Sequence, residues 1–144
     1  MSAPRNPDFA AQIADSFARQ GMMALLRAEL VEVRHGSVTI AAPIRPEVSQ
    51  QQGFSHAGFA WTLGDSAAGY AALSVMDPGL EVMSVEMKIN LLAPGRGARL
   101  VAEGRVLKPG RRLVVVTADI WAEAEDGVRS HAAHMLGTMI PVAP

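Results

Sequence analysis

Apolar positions recur along the chain at distinct spacings, and each spacing predicts a different element. Phe9, Ile13, Phe17, Met22, Leu25 and Leu26 return at helical intervals, which predicts an amphipathic N-terminal helix over residues 8–26, weak at Gly21 and packed as a lid or brace. Two short β-type runs follow, 30–34 and 38–42, joined by His35-Gly36, a dipeptide that closes hairpins. Residues 43–55 hold two prolines and three consecutive glutamines with little apolar periodicity, so they read as a loop. Residues 57–76 are rich in Ala, Leu, Trp and Tyr and contain no proline, and Asp77-Pro78-Gly79 stops them; this is the main helix. Four further strands are predicted over 81–93, 98–108, 112–123 and 128–141, separated by Pro94-Gly95, Pro109-Gly110 and Asp126-Gly127.

The third strand has the plainest alternation. Met83, Val85, Met87, Ile89 and Leu91 interleave with Ser84, Glu86, Lys88 and Asn90, so one face should be buried and Ser84 should lie on the polar face. Four strands in succession with no helix between them exclude a doubly wound parallel sheet, because parallel neighbours need a crossover. An α+β domain remains, an antiparallel sheet with one long helix across it. No linker or repeat divides the chain, so residues 1–144 are expected to form one domain, with 1–27 as a helical extension.

Composition narrows the chemistry. Cysteine is absent, which removes disulfide frameworks, thiolate metal sites and cysteine nucleophiles. A formal net charge of -1 provides no basic field for a nucleic-acid backbone. Apolar stretches fall short of the ~20 residues that span a bilayer, and Met1 to Gln12 lacks an apolar leader core, so the expected location is cytoplasmic, away from membranes. His131 and His134 are three apart, which places them on opposite faces of a regular strand with no ligand at matching spacing; no metal and no cofactor is expected.

The start of the main helix carries the most specific chemistry. Unpaired N–H groups at a helix N-terminus, here those of Ala57 and Gly58, are donors for a carbonyl oxygen that gains negative charge. Gly58 lets a bulky group approach the backbone, and His56 at the helix entrance either caps the helix or bonds a partner group. Asp65 shares a stripe with Gly58, Trp61, Ala68, Gly69 and Ala72, so its carboxylate faces small and apolar residues and is costly there unless used or paired. It is suited to attack a carbonyl or to activate a water. Eight residues at ~1.5 Å each put Ala57 and Asp65 about 12 Å apart along the helix, too far for one carbonyl to touch both. A site using both groups therefore takes them from two subunits related by a two-fold axis.

The segment Gln50-Gln51-Gln52-Gly53-Phe54-Ser55-His56-Ala57-Gly58, followed after six residues by Asp65, resembles the hotdog-fold acyl-CoA thioesterases of the phenylacetate-degradation type. Their pattern reads Asn-x-x-Gly-x-x-His-Gly-Gly and a helical Asp; here Gln50 replaces the Asn and Ala57 the first Gly. Met83-Ser84-Val85, Asn90 to Gly95, Gly104-Arg105-Val106 and Lys108 to Arg111 extend the similarity to about His134. The resemblance implies a sheet wrapped around a central helix, an acyl-CoA substrate and a homo-oligomer, dimer or dimer of dimers, with shared sites. It also implies roles: Asp65 as nucleophile or base, Gln50 orienting water or substrate, Ala57 and Gly58 holding the oxyanion, and Ser84 supporting Asp65 or its water. Lys108, Arg111 and Arg112, around a Pro-Gly turn, are candidates to meet the coenzyme A phosphates. Two alternatives stay open: a hotdog hydratase or dehydratase, and a non-catalytic acyl-CoA-binding module.

Overall fold

A computed structural model describes residues 1–144. The N-terminal amphipathic segment is two helices, α1 (Phe9–Arg19) and α2 (Gly21–Leu25), because Gln20 takes an extended conformation one residue before the weak point expected at Gly21. Gln20 Nε2 donates to the Tyr70 hydroxyl at 2.9 Å, and Ser16 Oγ lies 3.2 Å from the same oxygen. The break thus aims a polar side chain at the main helix, and the extension acts as a brace.

The hairpin is β1 (Glu29–Arg34) and β2 (Ser37–Pro43), with Gly36 at φ +84° in its turn. The main helix, α3, spans Ala57–Leu73, and β3 (Glu81–Leu91), β4 (Arg99–Pro109), β5 (Val114–Glu123) and β6 (Arg129–Val142) complete the chain. All six strands join one antiparallel sheet in the order β1-β2-β4-β5-β6-β3. No helix is long and apolar enough to cross a membrane.

Helix α3 is apolar nearly all round, and a helix of that kind is stable only when enclosed. The sheet encloses it. Val114, Val116, Ala118, Ile120 and Ala122 alternate inward along β5, while the intervening residues face outward. Closest approach is at β4, where a Cβ on Gly104 would stand 2.3 Å from the Ala67 carbonyl carbon. The small residues Ala67, Ala68, Ala71 and Ala72, all fully buried, allow the backbone layers to meet there.

Strand order also shapes the helix entrance. Because β3 lies at the sheet edge beyond β6, while β4 lies between β2 and β5, residues 92–98 must cross the sheet to reach β4. The crossing passes the start of α3, where Ser55 N–H donates to the Gly95 carbonyl at 3.0 Å and the Arg96 guanidinium sits 4.2 Å above the Phe54 ring.

Two expectations about side-chain direction are corrected, each by a β-bulge. In β3 the register shifts between Ser84 and Glu86, so the period of two breaks at Val85; Ser84 faces α3, and Met83 and Val85 are exposed. In β6, Ala133 pairs with Ile120 but His131 pairs with Trp121, leaving Ala132 as an extra residue. That residue restores His131 and His134 to the same outer face, rather than opposite ones.

The Gly104 contact makes a stability prediction. Gly104→Ala has no pocket for its methyl group and should destabilise the fold by about 1–3 kcal/mol. A clear fall in the urea midpoint with an unchanged slope supports that packing, and an unchanged midpoint refutes it.

Candidate active site

Residues 49–55 form a small loop pinned by a Ser49–Ser55 bridge, with the Gln50 N–H donating to the Phe54 carbonyl at 2.8 Å and Gly53 at φ +86°. The loop delivers His56 as the N-cap of α3. Its ring Nδ1 accepts the Gly58 N–H at 2.8 Å, so the neutral ring carries its proton on Nε2. Of the two donors expected to be free, Gly58 is therefore engaged by His56. Ala57, the first helical residue, has an N–H with no partner in the chain. The Gln50 side chain folds back on its own loop, its carbonyl accepting the Gln52 N–H.

Beside the Ala57 end of α3 lies a cleft of about 530 Å³. Gln50, Phe54, His56 and Ala57 line one wall, and Leu92 and Pro94 of the crossing segment line the other. The extra residue Ala132 also reaches this cleft, and its carbonyl accepts the Leu92 N–H at 2.8 Å. Apolar walls with convergent polar groups at one end suit an acyl or aryl chain with a polar head.

Asp65 lies elsewhere on the same helix. It is half-buried, and the Ser84 hydroxyl donates to its Oδ1 at 2.6 Å. Burial pushes the Asp65 carboxyl above its ordinary range, and the Ser84 hydrogen bond partly opposes that shift. A smaller cleft of about 190 Å³ joins Asp65 and Ser84 to Ser16, Gln20, Ser66 and Tyr70. The Ser66 hydroxyl donates to Gln20 Oε1 at 3.1 Å. Sequence reasoning missed Gln20; the one signal was the interruption of the helical pattern beside Gly21.

One chain therefore brings Gln50, His56 and Ala57 to one cleft, leaves Gly58 off its lining with its N–H on His56, and brings Asp65 and Ser84 to another. Continuous α3 separates Ala57 from Asp65 by about 12 Å along its axis. Lys108, Arg111 and Arg112 join neither group. Their hairpin lies at the far end of α3, where Arg111 shares a cleft with Arg5, His35 and Val75. Leu73, the last residue of α3, is sixteen residues beyond Ala57, or about 24 Å along the axis.

This arrangement has known counterparts. Residues 52–128, 77 of the 144, match the family model described as the thioesterase superfamily. The chain belongs to the thioesterase superfamily.

The crystal structure of a thioesterase family protein from Silicibacter pomeroyi is 40% identical, covers 94% of this chain and 99% of its own, and superposes with a TM-score of 0.91. The PaaI protein of the E. coli phenylacetic acid degradation operon shares the fold, with a TM-score of 0.80 and 94% of each chain covered, at 20% identity. A Saccharolobus solfataricus protein that carries the provisional name of an esterase is 30% identical over 91 residues, 63% of this chain. That match spans 64% of the relative's length. The architecture, six antiparallel strands around one long helix, is the hotdog fold of this superfamily.

In this thioesterase-superfamily chain, the raised Asp65 carboxyl has a sign-specific consequence for stability. A carboxyl with a higher pKa folded than unfolded costs stability while ionised, and the cost disappears as pH falls below the unfolded value. Asp65→Asn, which keeps an oxygen for Ser84, should raise the urea midpoint at pH 7, and the gain should shrink to nothing below about pH 4. A loss of stability at pH 7 would show that the ionised carboxylate is favoured in its pocket.

Proposed function

We propose that this protein is an acyl-CoA thioesterase, releasing a free acid and coenzyme A, and that it works as a homo-oligomer with active sites shared between two chains. The observation that carries this reading is a single helix with an unpartnered N–H at its N-terminus and a desolvated, hydroxyl-bonded carboxylate about 12 Å further along. Both groups suit thioester hydrolysis, and their separation requires a second copy.

Strand β3 is the element that recruits it. It is an 11-residue edge strand with Met83, Val85 and Leu91 59%, 56% and 60% exposed. A long apolar edge is a template for pairing. Antiparallel pairing of β3 with its two-fold mate continues the sheet and sets the two α3 helices antiparallel, bringing the cleft of one chain toward Asp65 of the other. A dimer of dimers is the expected larger assembly.

The acyl chain then lies in the 530 Å³ cleft with its carbonyl oxygen on the Ala57 N–H, at the positive end of the α3 dipole. The partner's Asp65 supplies the carboxylate, which attacks the carbonyl carbon or takes a proton from the attacking water. The elevated affinity of Asp65 for protons suits the second task in particular. Ser84 orients the carboxylate, Gln50 orients water or substrate from the loop, and His56 holds the loop to the helix through Gly58. Contact between Lys108, Arg111 or Arg112 and the coenzyme A phosphates comes from the partner's hairpin.

Thiol release from a panel of aryl, short and long acyl-CoA esters, with chelator present, tests this reading. Ala57→Pro is the decisive variant, because His56 already has φ -66° and ψ 142°, a conformation that tolerates a following proline, and proline is well accepted at a first helical position. It removes only the N–H. Turnover should fall about a hundredfold or more, whereas Ala57→Gly should stay within about tenfold. A folded Ala57→Pro protein at full rate would refute the oxyanion role. Tight acyl-CoA binding without thiol release across the panel would favour a binding module.

A further inference from the structure

On the outer face of the sheet, away from α3, three side chains converge that the proposed hydrolysis does not use. Asp119 projects from β5, and His131 and His134 from β6. His131 Nε2 and His134 Nδ1 each lie 2.8 Å from the same atom, Asp119 Oδ1. Two imidazoles and a carboxylate thus have their donor atoms within 4.8 Å of one another.

The backbone builds this cluster. In a regular strand, residues three apart face opposite ways, and the extra residue Ala132 cancels that alternation. Asp119 is then the cross-strand neighbour of His134, and His131 pairs with Trp121. The Trp121 ring stacks on His131 with centroids 4.4 Å apart and planes at 21°, which holds that imidazole in place. Glu103, opposite Asp119 on β4, is occupied by Arg105 and Arg129, so it leaves the cluster as two rings and one carboxylate.

We propose that Asp119, His131 and His134 form a binding site for a borderline divalent transition ion of the zinc, cobalt or nickel type. Two neutral imidazoles select such ions over magnesium or calcium, which take oxygen ligands, and the carboxylate offsets part of the charge. Each ring needs only to move its proton to the other nitrogen to present a lone pair. Tetrahedral coordination at ~2.0–2.1 Å sets neighbouring donors roughly 3.3 Å apart, so the 2.8 Å contacts open by about half an ångström. The three ligands leave a coordination position for water or an external donor.

The site is not remote from the acyl cleft. Ala132, between the two histidines, lines that cleft and holds the crossing segment through its carbonyl. An ion on the outer face ties the two strands at the bulge that forms this wall.

Binding of Zn²⁺ to the tag-free, metal-stripped full-length protein at neutral pH tests the site, with Co²⁺ absorption as a reporter of ligand type. One ion per chain is expected, with micromolar or tighter affinity and a Co²⁺ spectrum characteristic of nitrogen ligands. His131→Asn, His134→Asn and Asp119→Asn should each weaken binding at least about tenfold, while millimolar Mg²⁺ should not compete. Circular dichroism checks each fold. If one variant fails to fold, the other two decide. Binding that survives all folded variants would place the ion elsewhere, for example on His35 or His56, and overturn the assignment. Absence of binding at millimolar Zn²⁺ would reduce the cluster to a hydrogen-bonded trio and overturn it equally.

Discussion

Enclosing α3 is the constraint from which the rest of the structure follows. Its buried surface runs from Phe59 to Leu73 with few polar interruptions, so a flat sheet would leave one side of it in water. Curling six strands around the helix removes that exposure, and contact between Gly104 and Ala67 brings the two backbones together without intervening side chains. The enclosure stops at the helix N-terminus. There the crossing segment 92–98 and the loop 49–55 meet across a cleft, leaving a backbone donor facing solvent. Asp65 is the main exception to the helix's apolar character, and the same enclosure that stabilises the fold desolvates it.

Most of the architecture was legible in the chain. Proline, glycine and aspartate punctuation placed every strand boundary within about two residues, since these residues act through local backbone preferences that need no knowledge of the fold. The main helix was legible for the same reason, ending close to Asp77-Pro78-Gly79. Side-chain direction was less so. Each bulge adds one unpaired residue, at Val85 and at Ala132, and neither valine nor alanine marks such a site. A single added residue reverses the facing of everything beyond it, so Ser84 turned inward and His131 joined His134.

The site was legible to a similar degree. Ala57, Asp65 and their separation follow from helical geometry, whereas the Gly58 N–H is held by a His56 rotamer that spacing does not reveal. The proposed roles of Gln50 and Ser84 came from resemblance to known thioesterases, and the Ser84 hydrogen bond to Asp65 provides a physical basis for one of them. Gln20 escaped notice because its contact with Tyr70 joins residues 50 positions apart.

A rigid helix with its donor and its carboxylate about 12 Å apart admits one arrangement for a reaction that uses both: two chains, each completing the other's site. Subunit mixing tests this most directly. Ala57→Pro protein and Asp65→Asn protein, each folded, dimeric and at least about a hundredfold impaired, are combined under conditions that exchange subunits. Half of the dimers formed by random exchange are mixed, and each of those has one intact site, so activity should recover to roughly a quarter of the wild-type level. Verified heterodimers that remain as inactive as their parents would contradict a site shared between chains.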